Sequence, residues 1–337
     1  MSGRVLLLYA GGTVGMERTA AGYQPMAGFE SFLLQQLQAR IGHSIPAFDL
    51  VSFERLIDSA NLLPEDWTRI GTALQQRWRD YSGFVLLHGT DTLAYTASAL
   101  AFMLQGCDKP VIVTGSQIPL AETRNDALDN LVGALILAGN PAITEVCVYF
   151  NGRLIRGNRA TKVSSHGLDA FDSPNFPWLG RVGIAVELKR HLLLAGAAPA
   201  FRVATFDPAA VAVLQTYPGM PARALAALLD DPALRGLVLR TYGAGNPPAA
   251  DAALVGALAN AVERGVVVVN ISQCLQGGVS QGTYATGAML DRIGVLSGRD
   301  MTLEAAFTKL HFLLGSGLSV DGVKRALAQP LCGECAA

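Results

Sequence analysis

The sequence has no excess of either charge: 26 basic side chains stand against 27 acidic ones, a formal net charge of −1. A chain so balanced presents no electrostatic footprint for nucleic acid or an acidic membrane surface, and neither is expected as a partner. Long apolar runs are also missing. Stretches such as Val266 to Ile271 stop well short of the roughly 20 residues that span a bilayer, so the mean hydropathy of +0.32 is read as a rich interior. Cysteine is scarce, and Cys107, Cys147, Cys274, Cys332 and Cys335 form an odd, scattered set that excludes a disulfide framework. Cys332-Gly333-Glu334-Cys335 is a lone C-x-x-C without strand–helix context and is read as incidental. No His/Cys/Asp grouping has metal-ligand spacing, and neither a G-x-x-x-x-G-K-[ST] loop nor a G-x-S-x-G elbow occurs, so no metal and no phosphate-bearing cofactor is expected. No charged leader and apolar segment precede the first apolar run, from which a cytoplasmic location is expected.

What is present is a hydrophobic chain, half apolar and only 16% charged, whose 337 residues suit about two domains. Strand-like runs, polar turns and helical periods alternate. Val5 to Tyr9, Phe53 to Ile57, Gly83 to Leu87, Pro110 to Val113 and Glu145 to Phe150 read as strands. Gly28 to Ile41, Pro64 to Trp78, the stretch ending at Leu104, and Asp126 to Ala138 read as helices. Pro64-Glu65-Asp66 opens its helix with proline at the first position and acids in the first turn. Such alternation predicts an α/β fold, a larger N-terminal domain with a mostly parallel, doubly wound sheet over residues 1–188. A Leu/Ala/Gly/Pro run at 189–211 is read as a linker. A smaller C-terminal α/β domain with a parallel sheet follows over 212–337, its strands at Ala212 to Thr216, Arg235 to Thr241 and Gly265 to Ile271. Its helices are expected at Pro221 to Leu229, Ala249 to Glu263, Thr302 to Leu314 and Val320 to Ala328.

The first strand ends in Ala10-Gly11-Gly12-Thr13-Val14-Gly15, close to a dinucleotide-binding G-x-G-x-x-G. The resemblance fails on context, because residues 16–26 carry Gly22 and Pro25 and no helical period, so a pyrophosphate would find no helix amino terminus. Those residues read instead as a mobile loop over a cleft, with Tyr23 as its only aromatic. Ligands of open α/β sheets gather beyond the carboxyl ends of the strands. Three polar strand ends, Gly11-Gly12-Thr13, Asp58-Ser59 and Gly89-Thr90-Asp91, are expected to converge there. After the last strand of the first sheet, Asn151 to His166 reads as an irregular basic segment with Arg153, Arg156, Arg159 and Lys162, aimed at an anion or at a buried carboxylate. His43, His88, His166, His191 and His311 are scattered and read as structural. A threonine nucleophile would then need another base, and a Lys–Asp pair can serve.

Ala10 to Gly15, His88-Gly89-Thr90-Asp91-Thr92, Thr114-Gly115-Ser116-Gln117 and Gly157-Asn158-Arg159-Ala160-Thr161-Lys162 resemble the signatures of the bacterial L-asparaginase family, and most of all its cytoplasmic, type I branch. The likeness continues through Arg240-Thr241-Tyr242-Gly243 and Tyr284-Ala285-Thr286-Gly287. It implies a two-domain amidohydrolase that converts L-asparagine and water to L-aspartate and ammonia without a cofactor, through an acyl-enzyme. By the same resemblance Thr13 is the nucleophile and Tyr23 orients it, while Thr90, Asp91 and Lys162 handle protons and the attacking water. Substrate contacts fall on Gly12, Asp58, Ser59, Ala60, Gly89 and Ser116. An effector site is implied at Thr161, Arg240, Asn246 and Cys274, and a homodimer or homotetramer as the assembly. Two positions depart from the family pattern. Ala10 replaces a frequent Thr or Ser, and Ala60 replaces a Gln or Ser of other branches, which makes the pocket roomier or less polar and opens the choice between asparagine and glutamine.

Overall fold

The computed structural model describes residues 3–40, 45–283 and 285–336; Ile41, His43 and Tyr284, named above, lie outside them. The chain divides between Val203 and Ala204 into two compact units. Part of the span read as a linker is hydrogen-bonded to the first unit, with Ala200 N donating to Gln105 O (2.9 Å) and Arg202 N to Met103 O (2.9 Å).

The first unit begins with β1 (Val5–Tyr9), a hairpin of β2 (Met16–Thr19) and β3 (Gly22–Pro25), α1 (Phe29–Arg40) and β4 (Phe48–Ser52). It continues through α2 (Pro64–Gln76), β5 (Gly83–Leu87), α3 (Leu93–Met103), β6 (Val111–Thr114), α4 (Ala127–Ala138), β7 (Val146–Phe150) and β8 (Arg153–Arg156). The ribbon β9 (Thr161–Lys162) and β10 (Phe171–Asp172) and the pair β11 (Gly180–Val182) and β12 (Val186–Leu188) complete it. The eight-stranded sheet runs β12-β11-β8-β7-β6-β5-β1-β4. From β4 through β7 neighbouring strands are parallel, and β8, β11 and β12 extend the sheet antiparallel. β1, β5, β6 and β7 are buried at every residue, as strands covered by helices on both faces must be. On one face Leu33, Leu37, Leu131 and Leu135 from α1 and α4 pack on Val5, Leu7, Val85 and Ile112.

Three sequence expectations are corrected. The second strand is Phe48–Ser52, not Phe53 to Ile57. It is a half-buried edge strand in which Asp49 interrupts the apolar pattern, accepting from Tyr81 Oη (3.1 Å) and pairing with Arg4 (2.7 Å). Phe53 to Ile57 is irregular and pinned to the end of β1, Phe53 N to Tyr9 O (3.0 Å) and Ile57 N to Ala10 O (2.7 Å). Residues 16–26 form a hairpin in which Arg18 faces Tyr23 across the strands, too short and polar to show a period. The basic segment begins as β8, returned on β7 by a tight Asn151-Gly152 turn with φ of 47° and 76°. Of its four cations, Arg156 does meet a buried carboxylate: its Nε donates to Glu145 Oε2 at 2.7 Å.

The second unit contains β13 (Val211–Gln215), α5 (Ala222–Leu229), β14 (Gly236–Thr241), α6 (Ala252–Glu263), β15 (Val267–Ser272), α7 (Ala285–Arg292), β16 (Leu296–Ser297), α8 (Leu303–Leu314) and α9 (Val320–Leu327). Its sheet is parallel, in the order β13-β14-β15-β16. α7 and β16, interrupted by Gly287 and bounded by Gly294, were not expected. Asp251, Thr302 and Ser319 cap α6, α8 and α9 by accepting backbone N–H groups of the first turn. Among the described residues no helix is long and apolar enough to cross a membrane.

The C-x-x-C stretch has a use its cysteines do not reveal. Glu334 lies at 2.6 Å from Lys309 of α8, and both side chains are fully buried. Lys309 Nζ also donates to Leu327 O (3.0 Å) and Gln329 O (2.6 Å), and Glu334 accepts the N–H groups of Leu331 and Cys332. Removing one partner strands a buried charge, so Glu334→Ala is expected to cost about 3–5 kcal/mol in denaturant unfolding. Adding Lys309→Met is expected to recover part of that loss.

Candidate active site

The ends of β1 and β5 approach so closely that neither carries a side chain at the crossing. Gly11 and Gly12 have φ of +123° and +101°, a region that favours glycine. A Cβ on Gly12 would overlap the Gly89 backbone, one on Gly11 would overlap Ile57 O, and one on Gly89 would overlap Ser59 Oγ and stand 3.2 Å from Gly12 Cα. The three polar segments therefore do meet, Gly89 lying against both Gly12 and Ser59, although Asp58-Ser59 belongs to a turn after the irregular segment and not to a strand end. Thr13, half-buried, opens a single 3-10 turn (Thr13–Gly15) immediately after this crossing.

Thr90 follows Gly89 and is buried, and Lys162 reaches it from β9. Lys162 Nζ donates to Thr90 Oγ1 and to Asp91 Oδ1, both at 2.9 Å, and Thr90 Oγ1 donates to Gln117 Oε1 at 3.2 Å. The three residues grouped from sequence are thus one hydrogen-bonded chain. The β9–β10 pairing, with Lys162 opposite Phe171, fixes where the lysine starts.

His88 supports the β5 end from inside. It is 1% exposed; its Nδ1 lies 2.8 Å from Gly89 O and its Nε2 3.0 Å from Thr96 Oγ1. A carbonyl can only accept, so Nδ1 carries the proton and Nε2 accepts from the threonine hydroxyl. Burial pushes the imidazole down to about 4, and the ring is neutral.

Two residues that sequence reasoning did not assign also contact the predicted set. Gln117 accepts from Thr90 and donates Nε2 to Gly167 O (3.2 Å). The Asp126 carboxylate holds that turn by accepting Gln117 N (3.0 and 3.1 Å), Ile118 N (3.0 Å) and Asn130 Nδ2 (3.1 Å). Tyr23, 48% exposed, donates its hydroxyl to Glu122 Oε1 at 3.0 Å, and this bond raises the phenol above its ordinary value. Gln117 lies inside a signature already quoted, so adjacency to Ser116 could have found it. Nothing local marks Glu122, 99 residues from its partner.

Ser116 is 1% exposed, and its Oγ has no hydrogen-bond partner among the described residues. Asp58 is exposed, and both its oxygens serve its own turn, accepting Ala60 N (3.2 Å) and Asn61 Nδ2 (2.7 Å). Ala60 is exposed beside it. In the second unit, Arg240 donates to Gln215 Oε1 (2.9 Å) and Gln273 O (3.4 Å), Asn246 is bridged to Tyr242, and exposed Cys274 donates its N–H to Ser272 Oγ (3.0 Å). Arg240 is the penultimate residue of β14, Asn246 follows that strand and Cys274 follows β15, whereas Thr161 is buried on β9 in the first unit.

A family model described as "Asparaginase, N-terminal" matches residues 4–194, and one described as "Glutaminase/Asparaginase C-terminal domain" matches residues 210–327. The chain belongs to the asparaginase family. Escherichia coli L-asparaginase 1 is 44% identical over 330 residues, covering 98% of this chain and 97% of that protein. The crystal structure of L-asparaginase I from Vibrio cholerae superposes with a TM-score of 0.90 at 40% identity and full coverage of both chains. The thermostable L-asparaginase from Thermococcus kodakarensis gives 0.90 at 33% identity, covering 99% of each. The α/β architecture is thus that of the asparaginases, and the chain is an amidohydrolase.

Two outcomes are expected of this asparaginase-family site. Gly89→Ala forces a methyl onto Ser59 Oγ and Gly12, and should abolish amide hydrolysis while lowering the thermal midpoint, measured by ammonia release and calorimetry. His88 and His311 are both pushed down to about 4 by burial, from 6.5. Below about 6.5 the unfolded chain binds protons that the folded chain refuses, so stability falls with pH. Each histidine contributes up to about 1.4 kcal/mol per unit between pH 6.5 and 5. Denaturant titrations should show that slope, and His88→Gln should reduce it by one histidine's share.

Proposed function

We propose that this chain hydrolyses the side-chain amide of L-asparagine to L-aspartate and ammonia, with Thr13 as nucleophile. The observation that carries the reading is the Lys162–Thr90–Asp91 hydrogen-bonded chain, adjoining the Gly12–Gly89 crossing from which Thr13 emerges. In the first step Thr13 Oγ bonds to the amide carbon, the C–N bond breaks, and the hydroxyl proton ends on the departing nitrogen as ammonia. In the second, water adds to the ester carbon, the bond between that carbon and Thr13 Oγ breaks, and Thr13 recovers a proton from that water. Thr90, held between Lys162 and Gln117, orients the water, and Asp91 keeps the ammonium of Lys162 in place. Backbone N–H groups beside Thr13 and Thr90 stabilise the oxyanion, each donor worth about 3–4 kcal/mol.

Ser59, whose Oγ lies against Gly89, suits the α-carboxylate of the substrate, and the exposed Asp91 suits its α-ammonium. Asp58 serves that ammonium less directly, because its oxygens cap the turn that presents Ser59. Ser116 supplies a buried hydroxyl with bonding capacity to spare. Ala60 offers no polar atom beyond its backbone, which favours some turnover of glutamine as the second reading.

The likeness to the cytoplasmic, type I branch supports three further expectations: a cytoplasmic location, a homodimer or homotetramer, and effector binding, for which Arg240, Asn246 and Cys274 are the candidates in the second unit and Thr161 the candidate in the first. If the effector site operates, Arg240→Ala converts a sigmoidal rate curve to a hyperbolic one; a wild-type curve unchanged by the substitution removes it. For the chemistry, ammonia release should fall at least about a thousandfold in Thr13→Ala and about a hundredfold in Lys162→Met. Wild-type turnover in both overturns the mechanism, and parallel assays on asparagine and glutamine decide the substrate.

A further inference from the structure

We propose that Glu122 is a positioning residue for the hydrolysis, holding Tyr23 and its hairpin over the Thr13 turn. The inference rests on the reading that Thr13 attacks and Tyr23 orients it. β3 is exposed at all four residues, so little apolar contact holds the hairpin down. Its base is tied by Met26 N to Gly15 O (2.9 Å), and farther out the Tyr23 hydroxyl donates to Glu122 Oε1 (3.0 Å).

Glu122 is an anchor because its own loop is fixed. Leu120 N donates to Val14 O (3.1 Å), bolting the β6–α4 connection to the residue after Thr13. Asn125 Nδ2 donates to Glu122 O (2.8 Å), and Gln117 at the start of the same connection accepts from Thr90. One loop therefore touches the Thr13 turn, Thr90 and Tyr23. A carboxylate accepts only, so the phenol must spend its proton on Glu122, leaving its oxygen lone pairs to accept from another hydroxyl. That direction suits a tyrosine that orients Thr13 by accepting a hydrogen bond from its hydroxyl, with both groups keeping their protons. The charges around the phenol are Glu122, which raises it, and Arg18 across the hairpin, which lowers it.

The test is a double-mutant cycle in the full chain, with steady-state ammonia release and thermal unfolding measured for each variant. Glu122→Ala should lower kcat about tenfold, with KM changed less than about twofold and the unfolding midpoint unchanged. Glu122→Gln, whose amide carbonyl can still accept the phenol, should stay within about threefold of wild type. In a Tyr23→Phe background, Glu122→Ala should cost less than about twofold more. Wild-type kcat in Glu122→Ala, or an equally large loss in the Tyr23→Phe background, overturns the proposal. If Thr13→Ala is inactive in that same experiment, the proposed function stands without it; if Thr13→Ala is fully active, that function fails as well.

Discussion

The contact between the Gly12 and Gly89 backbones is the constraint on which the rest of the site depends. Two parallel strands that neighbour each other in the sheet would normally be kept apart at their ends by side chains. Here neither end has one, and Gly11 and Gly12 take up the backbone angles that let β1 turn away. The consequence is chemical. Thr13 and Thr90, 77 positions apart in the numbering, leave the same crossing in adjacent turns, so one hydroxyl can be a nucleophile and the other can handle water.

Around that crossing the molecule is stiff on one side and lightly held on the other. Behind β5 and β6, neutral His88 donates to Gly89 O, and Asp126 accepts the backbone N–H groups of Gln117 and Ile118 and the side-chain amide of Asn130, so the polar groups at these strand ends are paired. In front, β3 of the β2–β3 hairpin is exposed at every residue and depends on polar ties. Such a division suits a hydrolase that needs fixed donors and yet has to admit substrate and release product.

The parts of this arrangement visible in sequence are those carried by local pattern. β5 reads correctly to the residue because Gly83-Phe84-Val85-Leu86-Leu87 is uniformly apolar and buried on both faces. β4 was misplaced because an edge strand tolerates Asp49, and Phe53 to Ile57 after it, read as extended, is an irregular segment pinned on β1. The glycines and asparagines of 151–158 read as an irregular basic segment and hid the β7–β8 hairpin, although one of its arginines, Arg156, does meet the kind of buried carboxylate expected, Glu145. Thr13, Thr90, Asp91 and Lys162 were legible through a family likeness, whereas Gln117 and Glu122 act through side-chain bonds spanning 27 and 99 residues that no local rule encodes. Within the C-x-x-C, whose cysteines read as incidental, the residue whose role was not legible is Glu334, paired with Lys309 from α8.

The central claim is that the covalent bond to substrate forms on Thr13. Its most direct test is to trap the enzyme with a reactive asparagine analogue, digest it, and locate the adduct by mass spectrometry. The account predicts one adduct, on the peptide carrying Thr13, that disappears in Thr13→Ala. Label on Thr90 with Thr13 unmodified would contradict it.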